Sequence, residues 1–289
     1  MWPFGPTRLG YALGSGSARG LAHVGVLKAL AAEGIEPDVV TGTSMGAIVG
    51  ALYAAGHTPA DLERIALGLD TKALFSLVDV TIRSGALLSG EKIEEFLRQY
   101  LPESFEELRL PFGCVSTDLA TGERVVHTAG GLISAVRASA SVPLVFMPVR
   151  TGEHVLVDGF LTDPVPVSLA RTLGATVVVA VDVSGDGRVD VGGDAEGDRG
   201  FLKGFRTALK GESPHNHRGL SSRDVATAAV EVLERHVALP ALKAADVVIS
   251  PDVHEFAGYQ YLAVTRLLEL GERAGHDAAA TIRKRARLV

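Results

Sequence analysis

One short stretch, Thr41-Gly42-Thr43-Ser44-Met45-Gly46-Ala47, narrows the folds open to this chain more than any other. It follows an extended apolar run, Pro37 to Val40, and opens into a small-residue helical pattern, Ala47 to Ala55, that ends near Gly56. Strand, sharp turn and helix in that order is the context in which Gly-x-Ser-x-Gly has chemical meaning. Gly42 and Gly46 let the backbone turn tightly and keep side chains away from the turning point. Ser44 is then pushed into the open, its hydroxyl near a helix N-terminus, where a nucleophile is wanted. The plainer reading is a Gly/Ser turn that merely caps a helix. Two further stretches weigh against it.

The first lies upstream. Leu9 to Leu13 reads as a strand, Gly14-Ser15-Gly16-Ser17-Ala18-Arg19-Gly20 as a loop, and Leu21 to Ala32 as a helix with apolar residues at 21, 24, 27 and 30, closed by Gly34. The loop therefore sits at a helix N-terminus, where free N–H groups and the helix dipole favour negative charge. Three readings compete. A dinucleotide site would need Gly-x-Gly-x-x-Gly and an acidic residue closing the second strand. Here the spacing is Gly-x-Gly-x-x-x-Gly, and Thr41-Gly42 stands at that strand end. A second reading is a structural turn. The third is an oxyanion hole, whose N–H groups stabilise the negative oxygen formed when Ser44 attacks an ester. The third fits two loops that end successive parallel strands and so share the carboxyl edge of one sheet.

The second stretch is Asp158-Gly159, at the end of the strand pattern His154 to Val157. The aspartate either satisfies a loop or serves Ser44 as general base. Asp163, followed by Pro164, reads instead as the N-cap of a helix over Val167 to Leu173. Other patterns predict a helix from Thr58-Pro59, an irregular stretch over 70–90, a helix over Glu91 to Tyr100, and a hairpin joining Pro111–Asp118 to Arg124–His127. A helix is also expected over Leu132 to Ser139. Thr176 to Val183 is β-branched throughout and reads as a central parallel strand. From 185 to about 224, glycine, aspartate, serine and arginine dominate, as in a surface insertion. Within it, 201–210 is basic and amphipathic, suited to a lipid surface, an active-site lid or ordinary packing. Helices follow over Asp224 to His236 and Tyr259 to Leu270, with a strand over Ala245 to Pro251 between them. Arg283 to Arg287 reads as a solvated basic tail, or one drawn to anionic lipid. The expectation is one domain over 8–289, with its core at 8–183 and its last strand and helices at 225–289.

Composition narrows the function classes. The 289 residues carry a formal net charge of −6, which argues against a general nucleic-acid surface. Cys114 is the one cysteine and stands in an apolar run, so a disulfide is excluded and a buried thiol expected. No Cys/His spacing suggests a structural metal. Met1 to Pro6 is too short and too proline-broken for a signal core, and no apolar run is long enough to span a bilayer. The expectation is a cytoplasmic protein with peripheral contact at the inner membrane face. Nothing in the sequence speaks to oligomeric state.

Taken together, the run Gly14 to Leu30, Gly42 to Tyr53, and Val155 to Asp163 resembles the patatin-like phospholipase family, over about residues 8–183. The resemblance implies a three-layer α/β/α sandwich with a mostly parallel sheet. It implies a serine lipid acyl hydrolase without metal or cofactor, acting on acyl-ester lipids through a Ser44–Asp158 dyad. Gly42 and Gly46 would shape the nucleophile turn and Gly159 the base motif. The N–H groups of Ser15, Gly16 and Ser17 would form the oxyanion hole, with Arg19 bracing it. Ser15 and Ser17 stand where the family has glycines, and Phe160 where it has a small residue. These departures favour the rival reading, a weakly active or non-catalytic binder of lipid or protein. A Ser-Asp-His triad would instead draw on His254.

Overall fold

The computed structural model describes residues 7–68, 88–143, 145–184, 222–258 and 260–288. The amphipathic segment 201–210 lies outside these, as do most of the stretch 70–90 and most of the expected insertion. Eight strands form one sheet: β1 Leu9–Leu13, β2 Val39–Thr43, β3 Phe112–Asp118, β4 Arg124–His127, β5 Val149–Thr151, β6 His154–Asp158, β7 Val177–Val181 and β8 Val247–Ile249. The order is β5-β6-β3-β2-β1-β7-β8, with β4 also paired to β3. The five strands from β3 to β8 along this path are mutually parallel, while β4, β5 and β6 add antiparallel pairings at the other end.

The registers around β3 bring two distant strands together. Val115 pairs with Thr43 of β2 and Val126 of β4; Ser116 pairs with Val125 of β4 and Asp158 of β6. A strand has two edges, and β4 occupies one of them throughout. So β2 and β6 share the other edge, meeting end to end with their C-termini facing. The chain must leave the sheet at that meeting point, and the side chains just there converge.

The sheet sorts its side chains by the alternation of a strand. Tyr11, Leu13, Val40, Cys114, Val179 and Val181 belong to the larger core, under α1 Ala22–Ala32, α2 Met45–Ala54, α3 Pro59–Leu67, α4 Glu91–Tyr100 and α5 Leu132–Ser139. Ala12, Val178 and Ala180 turn to the other face and meet α6 Val167–Thr172 and α7 Ser222–Ala244. Helices on both faces of a mostly parallel sheet make the expected α/β sandwich. β7 is buried between β1 and β8, as its β-branched run predicts.

Three expectations need correction. The helix expected to end at Leu270 runs on as α8 Val264–Ala286, so Arg283 to Arg285 form its last turn and Arg283 binds the backbone oxygen of Glu33. Cationic side chains there suit the helix dipole. The helix expected to stop at His236 continues through Pro240 to Ala244 and begins at Ser222, inside the segment assigned to the insertion. Asp163 is not an N-cap, because α6 starts after Pro166 and the Asp163 carboxylate is held by Arg124 at 2.6 Å.

Gly271 lies inside α8, where its lack of a side chain permits contact with α1. A methyl group there would stand 2.0 Å from the Ala22 carbonyl oxygen of α1, and one on Gly25 would stand 2.0 Å from the Leu268 carbonyl oxygen of α8. The two helices touch backbone to backbone, and α1 in turn holds the loop after β1. Gly271→Ala is expected to destabilise the protein by about 1–3 kcal/mol, the usual range for overpacking. Thermal unfolding followed by circular dichroism would show it, at roughly 2–4 °C for each kcal/mol.

Candidate active site

Ser44 sits between β2 and α2 with φ 57° and ψ −123°, a backbone shape costing a non-glycine residue on the order of 1–3 kcal/mol. The surroundings leave it no alternative. A methyl on Gly42 would lie 2.2 Å from the Gly46 carbonyl oxygen, and a methyl on Gly46 would lie 2.2 Å from that of Leu13. Three backbone segments thus crowd to contact around the turn, and both glycines are needed for close approach. The Ser44 N–H donates to Ser139 Oγ at 3.0 Å, and its carbonyl accepts from Ala47 and Ile48 in α2.

The end-to-end meeting of β2 and β6 brings Asp158 to this turn. Ser44 Oγ donates to Asp158 Oδ2 at 2.6 Å, although the two residues are 114 positions apart. Asp158 Oδ1 accepts the Phe160 N–H at 3.0 Å, and the Asp158 N–H donates to the Ser141 carbonyl. Gly159 lets the chain pass beneath, since a methyl there would meet the Val115 carbonyl oxygen at 2.2 Å. Asp158 is fully buried and Ser44 nearly so. Loss of water disfavours the carboxylate, pushing its pKa from 3.8 up to about 8 against the opposing pull of the Ser44 and Phe160 hydrogen bonds.

The loop after β1 lies over this pair. His23 in α1 is fully buried and holds it, Nε2 donating to the Gly14 carbonyl at 2.7 Å. Burial lowers its pKa to about 4, so the ring is neutral. The Ser15 N–H donates to the Pro164 carbonyl at 2.9 Å, which corrects the assignment of Ser15 to the oxyanion hole: that donor is occupied. Gly16 and Ser17, with φ of 159° and 48°, carry N–H groups without an acceptor among the described residues. Arg19 is buried and reaches from the loop to the Ser184 carbonyl at 3.3 Å and Glu231 Oε1 at 3.4 Å. It braces the loop against the end of β7 and against α7.

The histidine alternative is not supported by position. His254 pairs with Asp252 on an exposed loop, and no imidazole among the described residues hydrogen-bonds to Ser44 or Asp158. Among the described residues no cluster of His, Cys, Asp or Glu is arranged to hold a metal ion. Cys114 is buried, and burial alone drives its thiol pKa upward.

A family profile described as Patatin-like phospholipase matches residues 11–171. The chain belongs to the patatin-like phospholipase family. An uncharacterized NTE family protein of Mycobacterium tuberculosis is 36% identical over 179 residues, covering 62% of this chain and 49% of that protein. Patatin-like phospholipase domain-containing protein 6 of Homo sapiens is 34% identical over 186 residues, 62% of this chain and 14% of that one. This patatin-like chain thus spans half or less of these curated relatives. The crystal structure of VipD from Legionella pneumophila aligns with a TM-score of 0.48 at 14% identity, covering 96% of this chain and 67% of that one.

Four residues at the site escape a reading of the sequence. Ser139 and Ser141 stand in a small-residue run before Pro143, and only that proximity to a helix end hinted at a role. Glu234 and Tyr261 lie beyond the stretch the patatin-like profile matches. The Ser15 hydroxyl donates to Glu234 Oε1, and the Tyr261 hydroxyl lies close to the Ser17 side chain.

The buried acid makes a prediction about stability. Asp158 keeps its proton to about pH 8 when folded, whereas an unfolded aspartate releases it near pH 4. Between those values the folded state binds more protons, so this group's contribution falls as pH rises. Asp158→Asn is therefore expected to raise the melting temperature relative to wild type, by more at pH 8 than at pH 5. Paired thermal melts across that range measure it; an equal difference at both ends would count against the buried-acid account.

Proposed function

We propose that this protein is a serine lipid acyl hydrolase that cleaves carboxylic esters through an acyl-Ser44 intermediate, and that residues 8–289 act as one unit. The observation that carries the reading is the 2.6 Å hydrogen bond between the buried Ser44 Oγ and Asp158 Oδ2. In its ionised form Asp158 accepts the hydroxyl proton as Ser44 Oγ attacks the acyl carbonyl. The oxyanion of the tetrahedral intermediate lies against the N–H groups of Gly16 and Ser17, which have no acceptor among the described residues, and near the positive end of α2. The intermediate collapses, the proton passes from Asp158 to the leaving alcohol, and the acyl group stays on Ser44. Water then attacks the acyl-enzyme, again giving a proton to Asp158, and the fatty acid leaves with Ser44 restored.

A carboxyl group with a pKa near 8 has basicity suited to this task, since a base works best when its pKa lies close to the working pH. Its ionised fraction grows as pH rises, so kcat/KM should climb through neutrality and level off above pH 8. A fluorophosphonate probe is expected to label the wild-type protein at Ser44. Ser44→Ala should abolish labelling, and Asp158→Asn should slow it by roughly 10²–10⁴-fold, the usual contribution of a general base. Intact folded protein without labelling would favour a lipid binder that does not turn its ligand over.

The lipid preference has its own support. No helix among the described residues is long and apolar enough to cross a membrane. On α7, however, Val230, Leu233 and Val237 are exposed at i, i+3, i+7 spacing, with Leu233 at 62%. The same helix sends Glu234 to the oxyanion loop. An apolar row at helical spacing suits the surface of a lipid aggregate. Leu233→Glu is expected to reduce hydrolysis of phospholipid vesicles on the order of tenfold, in line with losing one buried leucine. Hydrolysis of a short-chain soluble ester should be unchanged.

A further inference from the structure

Ser15 and Ser17 are the two places where the loop departs from the family's glycines, and each lies against a residue from much later in the chain. The Ser15 hydroxyl donates to Glu234 of α7. The N–H after Ser17, that of Ala18, donates to the Gly258 carbonyl at 3.0 Å, and the Tyr261 hydroxyl lies close to the Ser17 side chain. Between the two hydroxyls lies Gly16, whose N–H and that of Ser17 have no acceptor among the described residues. Among the described residues the loop is thus tied on both flanks, with the Gly16 and Ser17 N–H groups between the ties.

We propose that Glu234 and Tyr261 are positioning residues for the oxyanion loop, acting through the Ser15 and Ser17 hydroxyls to fix the direction of the Gly16 and Ser17 N–H groups. The inference rests on the hydrolase reading above. Its physical reason is backbone freedom. Ser17 holds φ at 48° and Gly16 at 159°, shapes with little intrinsic preference in their favour, so the geometry must be imposed from outside. The Ser15 N–H bond to Pro164 fixes one end, and the hydroxyl ties resist rotation of the peptides that follow. Serine adds what glycine lacks, a side chain by which the loop can be held.

Glu234 has a second, electrostatic consequence. Its surroundings contain Arg19 in the loop, Glu231 on its own helix and Asp182 after β7, and its charge bears on Asp158. A negative charge there favours the protonated form of Asp158. Replacing it by a neutral acceptor should preserve the tie and move the rising limb of the pH–rate profile to lower pH. A role confined to general stability would leave that limb in place.

The experiment is a double-mutant cycle on the full chain, using Glu234→Ala, Ser15→Gly and the pair, with Glu234→Gln and Tyr261→Phe alongside. Two readouts are taken: hydrolysis of a soluble p-nitrophenyl ester, and amide hydrogen exchange of residues 14–20. Glu234→Ala is expected to lower kcat on the order of 10- to 100-fold with KM little changed, as a misdirected stabilising group does. It should also speed loop exchange on the order of tenfold. Both effects should vanish in the Ser15→Gly background, where the hydroxyl through which Glu234 acts is gone. Tyr261→Phe should loosen the same amides. Glu234→Gln should keep the loop protected while shifting the pH limb downward. The proposal is overturned if loop exchange is unaltered by Glu234→Ala, or if its effects persist undiminished with Ser15→Gly. A wild-type protein that neither reacts with fluorophosphonate nor hydrolyses ester would defeat the hydrolase reading alone, since the exchange cycle still decides whether the ties hold the loop.

Discussion

A buried carboxyl group that, among the described residues, accepts from one hydroxyl and one amide is the interaction around which this structure is arranged. Asp163, five positions along the chain from Asp158, shows the contrast. It too is buried, but Arg124 lies 2.6 Å away and supplies a positive charge. Asp158 has no such cation among the described residues; its carboxylate oxygens accept from Ser44 Oγ and the Phe160 N–H. The protein thus carries a poorly solvated acid that folding alone would not select. Ser44 adds a strained backbone beside it. Two unfavourable features side by side, each held by close backbone contact, mark a place where stability is given up for reactivity.

What compels this arrangement is the shared edge of β3. Because β2 leaves at Thr43 and β6 arrives at Asp158 on the same edge, the two strand ends face each other at the distance set by adjacent rungs of one ladder. The side chains need little reach. Gly42, Gly46 and Gly159 then remove every Cβ that would keep the crossing backbones apart. α1 and α8 perform the corresponding service for the loop, packing against each other through Gly25 and Gly271 so that the segment entering α1 has a fixed floor.

Much of this was legible in the sequence where the signal is local. The glycines around Ser44, the strand into Asp158 and the β-branched run of β7 each carry their meaning within a few residues. The sequence misled where a residue's partner is remote. Ser15 looked like a free amide donor, yet its N–H meets Pro164, which no spacing reveals. Asp163 looked like a cap because Pro164 follows it, but Arg124 takes its carboxylate. The helices expected to stop at His236 and Leu270 run on through Pro240 and Gly271. Gly271 answers instead to the backbone of α1, and the helix around Pro240 is held by packing of Ala238 and Leu242 beneath the sheet. Glu234 and Tyr261 carried no local pattern at all.

The order of these parts along the chain has a consequence during synthesis. A nascent polypeptide emerges with Ser44 early, but the carboxylate it hydrogen-bonds lies 114 positions later. The contacts to the loop of Ser15 and Ser17 come later still, from Glu234 and from Gly258, and α8 follows them. Growing chains therefore display Ser44 without Asp158, then the pair without the ties to its loop.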